Sequence, residues 1–200
     1  MAGFEVFPGG RFSLFGDNEM KLHAERGDHK AQFLIGFSYL TGEYRDGSPV
    51  EKNHEKALKW IRLSAEGGYS YAQFHIGGMY QQGIGVAKDD VLAAKWFLEA
   101  AKTGNIKART NIAGLYYEGT GIKQDFEKAY AWASLAAYKG NENAKTLVQL
   151  IVPKLKNRKK ADLLAGEYFK KYGSGGSEEK TINGLTSRIW TPPASTVLMI

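Results

Sequence analysis

The side chains that could carry chemistry in this chain are few, and their spacing does not assemble them. Cysteine is absent, which removes thiolate catalysis, disulfides and cysteine-based zinc sites. The four histidines, His23, His29, His54 and His75, show no metal-ligand spacing, so His75 reads as an ordinary hydrogen-bonded histidine and no metal is expected. No H-E-x-x-H, G-x-x-x-x-G-K-[ST] or G-x-S-x-G pattern occurs. Gly83 and Gly85 resemble a phosphate-cradling loop, but they recur as Gly119 and Gly121. A phosphate site would not be needed twice in tandem. Asp89 and Asp125 recur with them and suit helix N-caps better than an acid/base pair. The expectation is a protein without a catalytic site or cofactor.

What those recurrences imply is a repeat. Trp60, Trp96 and Trp132 stand at an interval of 36 residues. Ala57, Ala93 and Ala129 share that register, as do Ala65, Ala101 and Ala137, then Gly68, Gly104 and Gly140, then Ala72, Ala108 and Ala144. A second set of columns aligns Gly77, Tyr80, Gly83 and Gly85 with Ala113, Tyr116, Gly119 and Gly121. The first copy, with Ala31, Gly36 and Tyr39, is stretched by an insertion within TGEYRDGS, whose composition marks a loop. Each unit reads as two helices. In YAQFHIGGMYQQ, Ala72, Ile76, Met79 and Tyr80 form one apolar stripe at helical spacing. GIGVAKDD supplies a turn and a cap, and VLAAKWFLEAAKTG is a second helix ended by Gly104. The three tryptophans are expected to be buried spacers between successive helix pairs.

These columns resemble the Sel-1-like repeat family, relatives of the tetratricopeptide repeats. The third copy carries the resemblance through Ala108, Tyr116, Gly119, Gly121, Asp125, Lys128, Ala129, Trp132, Ala136, Ala137 and Gly140. The resemblance covers residues of about 20 to 150 and implies an all-α superhelix, a right-handed solenoid of helix pairs. It departs from the family pattern at Glu19, where a Trp would stand, at Asn53, which replaces the Asp, and after Ala144, where the Gly and Tyr columns stop. From Pro153 to Tyr172 the chain reads as a basic, amphipathic capping helix. The expected organisation is an unassigned segment 1–16 and a solenoid 17–172. The solenoid divides into a half repeat 17–28, repeats 29–68, 69–104 and 105–140, and a divergent capping repeat 141–172. Residues 173–200 form a linker and tail.

In a solenoid of this kind the first helix of each pair lines the inner, concave surface. With Ala72, Ile76, Gly77 and Tyr80 committed to packing, the other positions of that helix face a groove. Comparison with the related tetratricopeptide groove selects Lys30, Phe33 and Phe37 in the first copy. It selects Tyr71, Phe74, His75, Gly78, Gln81 and Gln82 in the second, and Lys107, Thr110, Asn111, Tyr117 and Glu118 in the third. Aromatics supply contact area and amides satisfy backbone groups, so the lining suits a peptide or protein partner. The resemblance implies an adaptor or scaffold, of the sort that assembles signalling and cell-envelope complexes in bacteria.

Bulk properties agree with a folded domain: 200 residues, 43% hydrophobic and 24% charged, with a net charge of +6. Much of that excess is in Lys154, Lys156, Arg158, Lys159 and Lys160, then Lys170 and Lys171. The run reads as a solvated helix face, and nucleic acid is not the expected partner. Binding of nucleic acid or a membrane surface through this cap is one alternative, and a cell-wall-related enzyme or enzyme regulator is another. The first residues are not those of a signal peptide and no stretch is long enough to span a membrane, so a cytoplasmic location is expected. The apolar end of the tail could dock on this chain or a neighbouring copy.

Overall fold

The computed structural model describes residues 17–45 and 47–173. The segment 1–16 and all of the tail beyond Gly173 lie outside the described residues. Among those described, the secondary structure is helical apart from one isolated antiparallel bridge between Glu43 and Pro49: α1 (Asp17–Glu25), α2 (His29–Thr41), α3 (His54–Glu66), α4 (Ser70–Gln82), α5 (Asp90–Lys102), α6 (Ile106–Glu118), α7 (Phe126–Tyr138), α8 (Glu142–Ile151) and α9 (Arg158–Tyr172). Each helix from α1 to α8 packs on its neighbours in sequence, which makes an all-α solenoid.

The helix boundaries follow from capping. The backbone N–H groups of Ala31, Lys56, Leu92, Ala108, Lys128, Ala144 and Lys160 each donate to the side chain three residues earlier. The acceptors are Asp28, Asn53, Asp89, Asn105, Asp125, Asn141 and Asn157. Asn53 therefore does the same work as Asp89 and Asp125, so its departure from the pattern costs nothing structurally. At the other end, Gly83 and Gly119 adopt φ of +73° and +80°, in the left-handed region where other residues are strained. The insertion after α2 closes on itself through the Tyr44 N–H donating to the Ser48 carbonyl.

The core lies between paired helices, where small residues allow close approach. A Cβ on Gly77 would stand 2.9 Å from the Phe97 ring, and one on Gly36 would stand 2.7 Å from Ile61. In the third unit the equivalent positions are Ala113 and Ala133, both fully buried. Where the first helix has no side chain the second supplies a large one, and where the first gains a methyl the second shrinks. A buried polar column accompanies this. Gln32, Gln73 and Arg109 donate to the carbonyls of Ala24, Ala65 and Ala101, each eight residues earlier. Those carbonyls belong to the last turn of the preceding helix, whose C=O groups have no intrahelical partner.

The indoles correct the sequence expectation. Trp132 is 1% exposed, but Trp60 and Trp96 are only half-buried. The reason is α9. A 3-10 turn at Val152–Lys154 contains Pro153, so the capping helix starts at Arg158 and folds back onto α7 with little contact to α8. Tyr168 and Tyr172 then close over Trp132, with ring centroids at 4.9 and 5.1 Å. Beside them the buried Tyr130 hydroxyl donates to Asp162 (2.9 Å), and Arg158 bonds both Asp162 and Tyr130. Burial, helped by the neighbouring Tyr116 and Tyr172, pushes the Tyr168 hydroxyl up to about 12.

Trp132→Ala should cost about 3–5 kcal/mol in chemical denaturation, as large-to-small changes in filled cores do. Trp96→Ala should cost clearly less. Equal losses at the two positions would contradict the role given to α9.

Candidate functional site

The exposed face of the first helices divides into two adjoining clefts. One, of about 480 Å³, is lined by Ser70, Tyr71, Phe74 and His75 of α4, by the Thr103–Asn105 junction, and by Ile106 and Lys107 of α6. The other, of about 460 Å³, runs across α4, α6 and α8. Its walls are Gln81, Thr110, Asn111, Gly114, Leu115, Glu118, Asn143, Thr146, Leu147 and Leu150. Both volumes fall within the range of ligand-sized clefts.

The first cleft is aromatic. The His75 ring lies 5.2 Å from both Phe33 and Phe37 and 5.4 Å from Phe74. Tyr69 joins Phe33 to Tyr71 at 5.5 and 5.7 Å, and Tyr71 is 57% exposed. Tyr69 occupies the N-cap position of α4, where Asp28, Asn105 and Asn141 stand in α2, α6 and α8, and it makes no side-chain cap. An Asx-type cap contributes about 1 kcal/mol. Here the position gives up that cap and places a ring against the aromatic wall. Local rules are broken in this way where a site needs the residue. The charge in this cleft is basic: Lys107 is present and no carboxylate lines it. Burial, reinforced by Lys107, lowers the His75 pKa from its usual 6.5. The second cleft is polar and amide-rich, with Glu118 as its only acidic residue.

Of the residues selected by sequence, Tyr71, Phe74, His75 and Lys107 come together in the aromatic cleft, and Gln81, Thr110, Asn111 and Glu118 in the amide cleft. Phe33 is a correction: it is 8% exposed and belongs to the core beneath His75. Phe37 is half-buried beside it. Tyr117 packs on Phe126 at 5.7 Å, directed toward α7 by the loop that joins them. Lys30 and Gln82 are exposed and line neither cleft. The contribution of α8 escaped the sequence reading because its Gly and Tyr columns are gone. The register still held a signal, since Lys107 and Thr110 correspond to Asn143 and Thr146. On the cap, Lys154, Lys156, Lys159 and Lys160 are exposed, whereas Arg158 is engaged by Asp162 and Tyr130.

Among the described residues no His, Asp and Glu side chains cluster as metal ligands, and no helix is long and apolar enough to cross a membrane. The fold and the open face define an α-solenoid of short helix pairs. The Sel1 repeat model matches residues 29–69, 70–105 and 106–141, more than half of the sequence, and the chain belongs to the Sel1 repeat family. No curated protein matches the sequence. Among solved structures, a protective antigen of uropathogenic Escherichia coli strains that displays an SLR fold is similar, with a TM-score of 0.68 and 34% identity over 78% of this chain. The match spans only 33% of that antigen's length. A Sel1 repeat protein from Oxalobacter formigenes aligns with a TM-score of 0.60 and 39% identity, over 66% of this chain and 96% of its own.

The His75 ring should titrate below 6.5 by NMR, and Lys107→Gln should move its midpoint upward. The unfolded chain takes up this proton near 6.5 and the folded chain does so only at lower pH. Acidification through 6.5 therefore removes stability, and the loss levels off below the folded-state pKa. A midpoint at or above 6.5 would contradict the environment described.

Proposed function

We propose that the chain is a non-catalytic interaction scaffold that holds an extended segment of a protein partner along the face of α4, α6 and α8. Sel1 repeat proteins are generally protein-interaction scaffolds. The observation that carries the reading for this chain is the pairing of an aromatic cleft with an amide-lined one on the same face. An extended peptide presents unpaired N–H and C=O groups, which Gln81, Asn111 and Asn143 can satisfy. Its larger side chains find area against Tyr71 and Phe74. No cofactor enters this reading. Phe37, whose ring packs on His75, would frame the same segment rather than anchor it.

Selection of binders from an unbiased library of extended peptides tests this. Phe74→Ala and Asn111→Ala should each weaken the selected peptides by about tenfold or more, the scale of an anchor residue. Leu163→Ala on α9, 63% exposed and away from both clefts, should leave them unchanged. Losses with Leu163→Ala and none with the other two, each variant retaining its helical circular dichroism, would move the site elsewhere.

A further inference from the structure

The two clefts take opposite ends of α6, and that helix carries its charges the wrong way round. Lys107 is in the first turn of α6 and Glu118 is its last residue. A helix N-terminus is partially positive and a C-terminus partially negative, so each charge is repelled by the end it occupies. The neighbouring α5 has the favourable order, with Asp90 in its first turn and Lys102 in its last. Neither charge of α6 is neutralised by the fold. Lys107 makes no hydrogen bond or ion pair among the described residues, and Glu118 accepts only a long bond from Thr120 (3.5 Å).

The eleven steps from Lys107 to Glu118 make close to three helical turns and span about 16 Å, so the two share one stripe of α6. Lys107 lines the aromatic cleft and Glu118 the amide cleft. Their separation exceeds the screening length of about 8 Å at physiological ionic strength, so they do not neutralise each other. The groove is therefore positive at its aromatic end and negative at its amide end. Its floor between those ends is bare. Gly78 stands between Phe74 and Gln81 on α4, and Gly114 between Lys107 and Glu118 on α6. A Cβ at either would meet nothing within 4 Å, and neither adopts a positive φ. Packing does not require glycine there, and glycine in a helix interior costs stability relative to alanine. What a missing side chain supplies is room for another main chain.

We infer that the partner is an extended segment of another protein that carries both charges. Its acidic residue sits at Lys107 beside a large apolar side chain, its basic residue at Glu118, and its main chain over Gly78 and Gly114. An extended chain advances about 3.3 Å per residue, so the two charges are about five residues apart. The inference rests on the reading of the clefts as a partner site and specifies what that site selects.

Fluorescent, end-capped peptides of Thr and Gln test it, each carrying Glu beside Trp and a Lys about three, five or eight residues away, in both chain directions. The five-residue spacing should bind tightest in one direction. Lys107→Gln or Glu118→Gln should weaken that peptide about two- to fivefold, the scale of an exposed ion pair. A peptide with the two charges exchanged should instead prefer the protein that combines Lys107→Glu with Glu118→Lys. Gly114→Ala should raise the denaturation midpoint of the free protein yet weaken the peptide about tenfold, a split that a structural glycine would not give. Indifference to spacing, no exchange of preference in the charge-swapped protein, or unchanged binding by Gly114→Ala would each overturn the inference. Affinity that falls as the protein is concentrated, the mark of a groove filled by a second copy, would overturn it too. Should library-selected peptides depend on Phe74 and Asn111 while these charge effects are absent, the partner site stands and this inference alone falls. Should they ignore Phe74 and Asn111, the partner site itself falls.

Discussion

The structure depends on how closely the two helices of each pair approach. Gly36 and Gly77 sit where any side chain would meet Ile61 or Phe97. Ala57, Ala72, Ala93, Ala108 and Ala129 belong to the same core cluster as Ile61 and Phe97, with almost no exposure. Interiors packed at crystal-like density do not absorb an added methyl without a compensating loss. The third pair shows that compensation, with Ala113 against Ala133. Because this seam consumes one side of each first helix, the opposite side of α4, α6 and α8 remains open. The clefts are a consequence of the seam.

The columns that set the seam were legible because they are small residues in strict register, and both pattern and helix caps are local. Three features were not, each for a physical reason. The burial of an indole depends on what covers it, and only Trp132 has Tyr168 and Tyr172 above it. Helix α9 lies far along the chain from α7, and the fold-back that brings it there carries no periodic signal. The column of Gln32, Gln73 and Arg109 hides because it mixes residue types. What those positions share is an N–H donor of the right length, directed at the last carbonyls of the preceding helix. Phe33 was read as groove since sequence spacing cannot separate a residue beneath the surface from one on it.

The candidate site was partly legible for the same reason. Positions such as Tyr71, Phe74 and Asn111, selected by excluding the packed stripe and by comparison with the tetratricopeptide groove, line the two clefts. Tyr69 was missed, because a cap position gives no hint that it has been reassigned to a ring contact. That reassignment, the His75 ring whose pKa burial lowers, and the uncompensated Lys107 lie within one cleft. Three departures from structural economy at a single place distinguish it from the rest of the face. The family supplies the solenoid, and these residues give this member its own surface.

The seam is tested most directly by a double-mutant cycle between Gly77 and Phe97, read by chemical denaturation. Gly77→Ala alone should cost about 1–3 kcal/mol through overpacking. Phe97→Ala alone should cost about 3–5 kcal/mol through the cavity it leaves. Together they recreate the Ala113–Ala133 pair, so the combined loss should fall short of the sum by 0.5 kcal/mol or more, about the size of coupling between residues in contact. Strictly additive losses would mean that the two positions do not set each other's size, and would contradict the account.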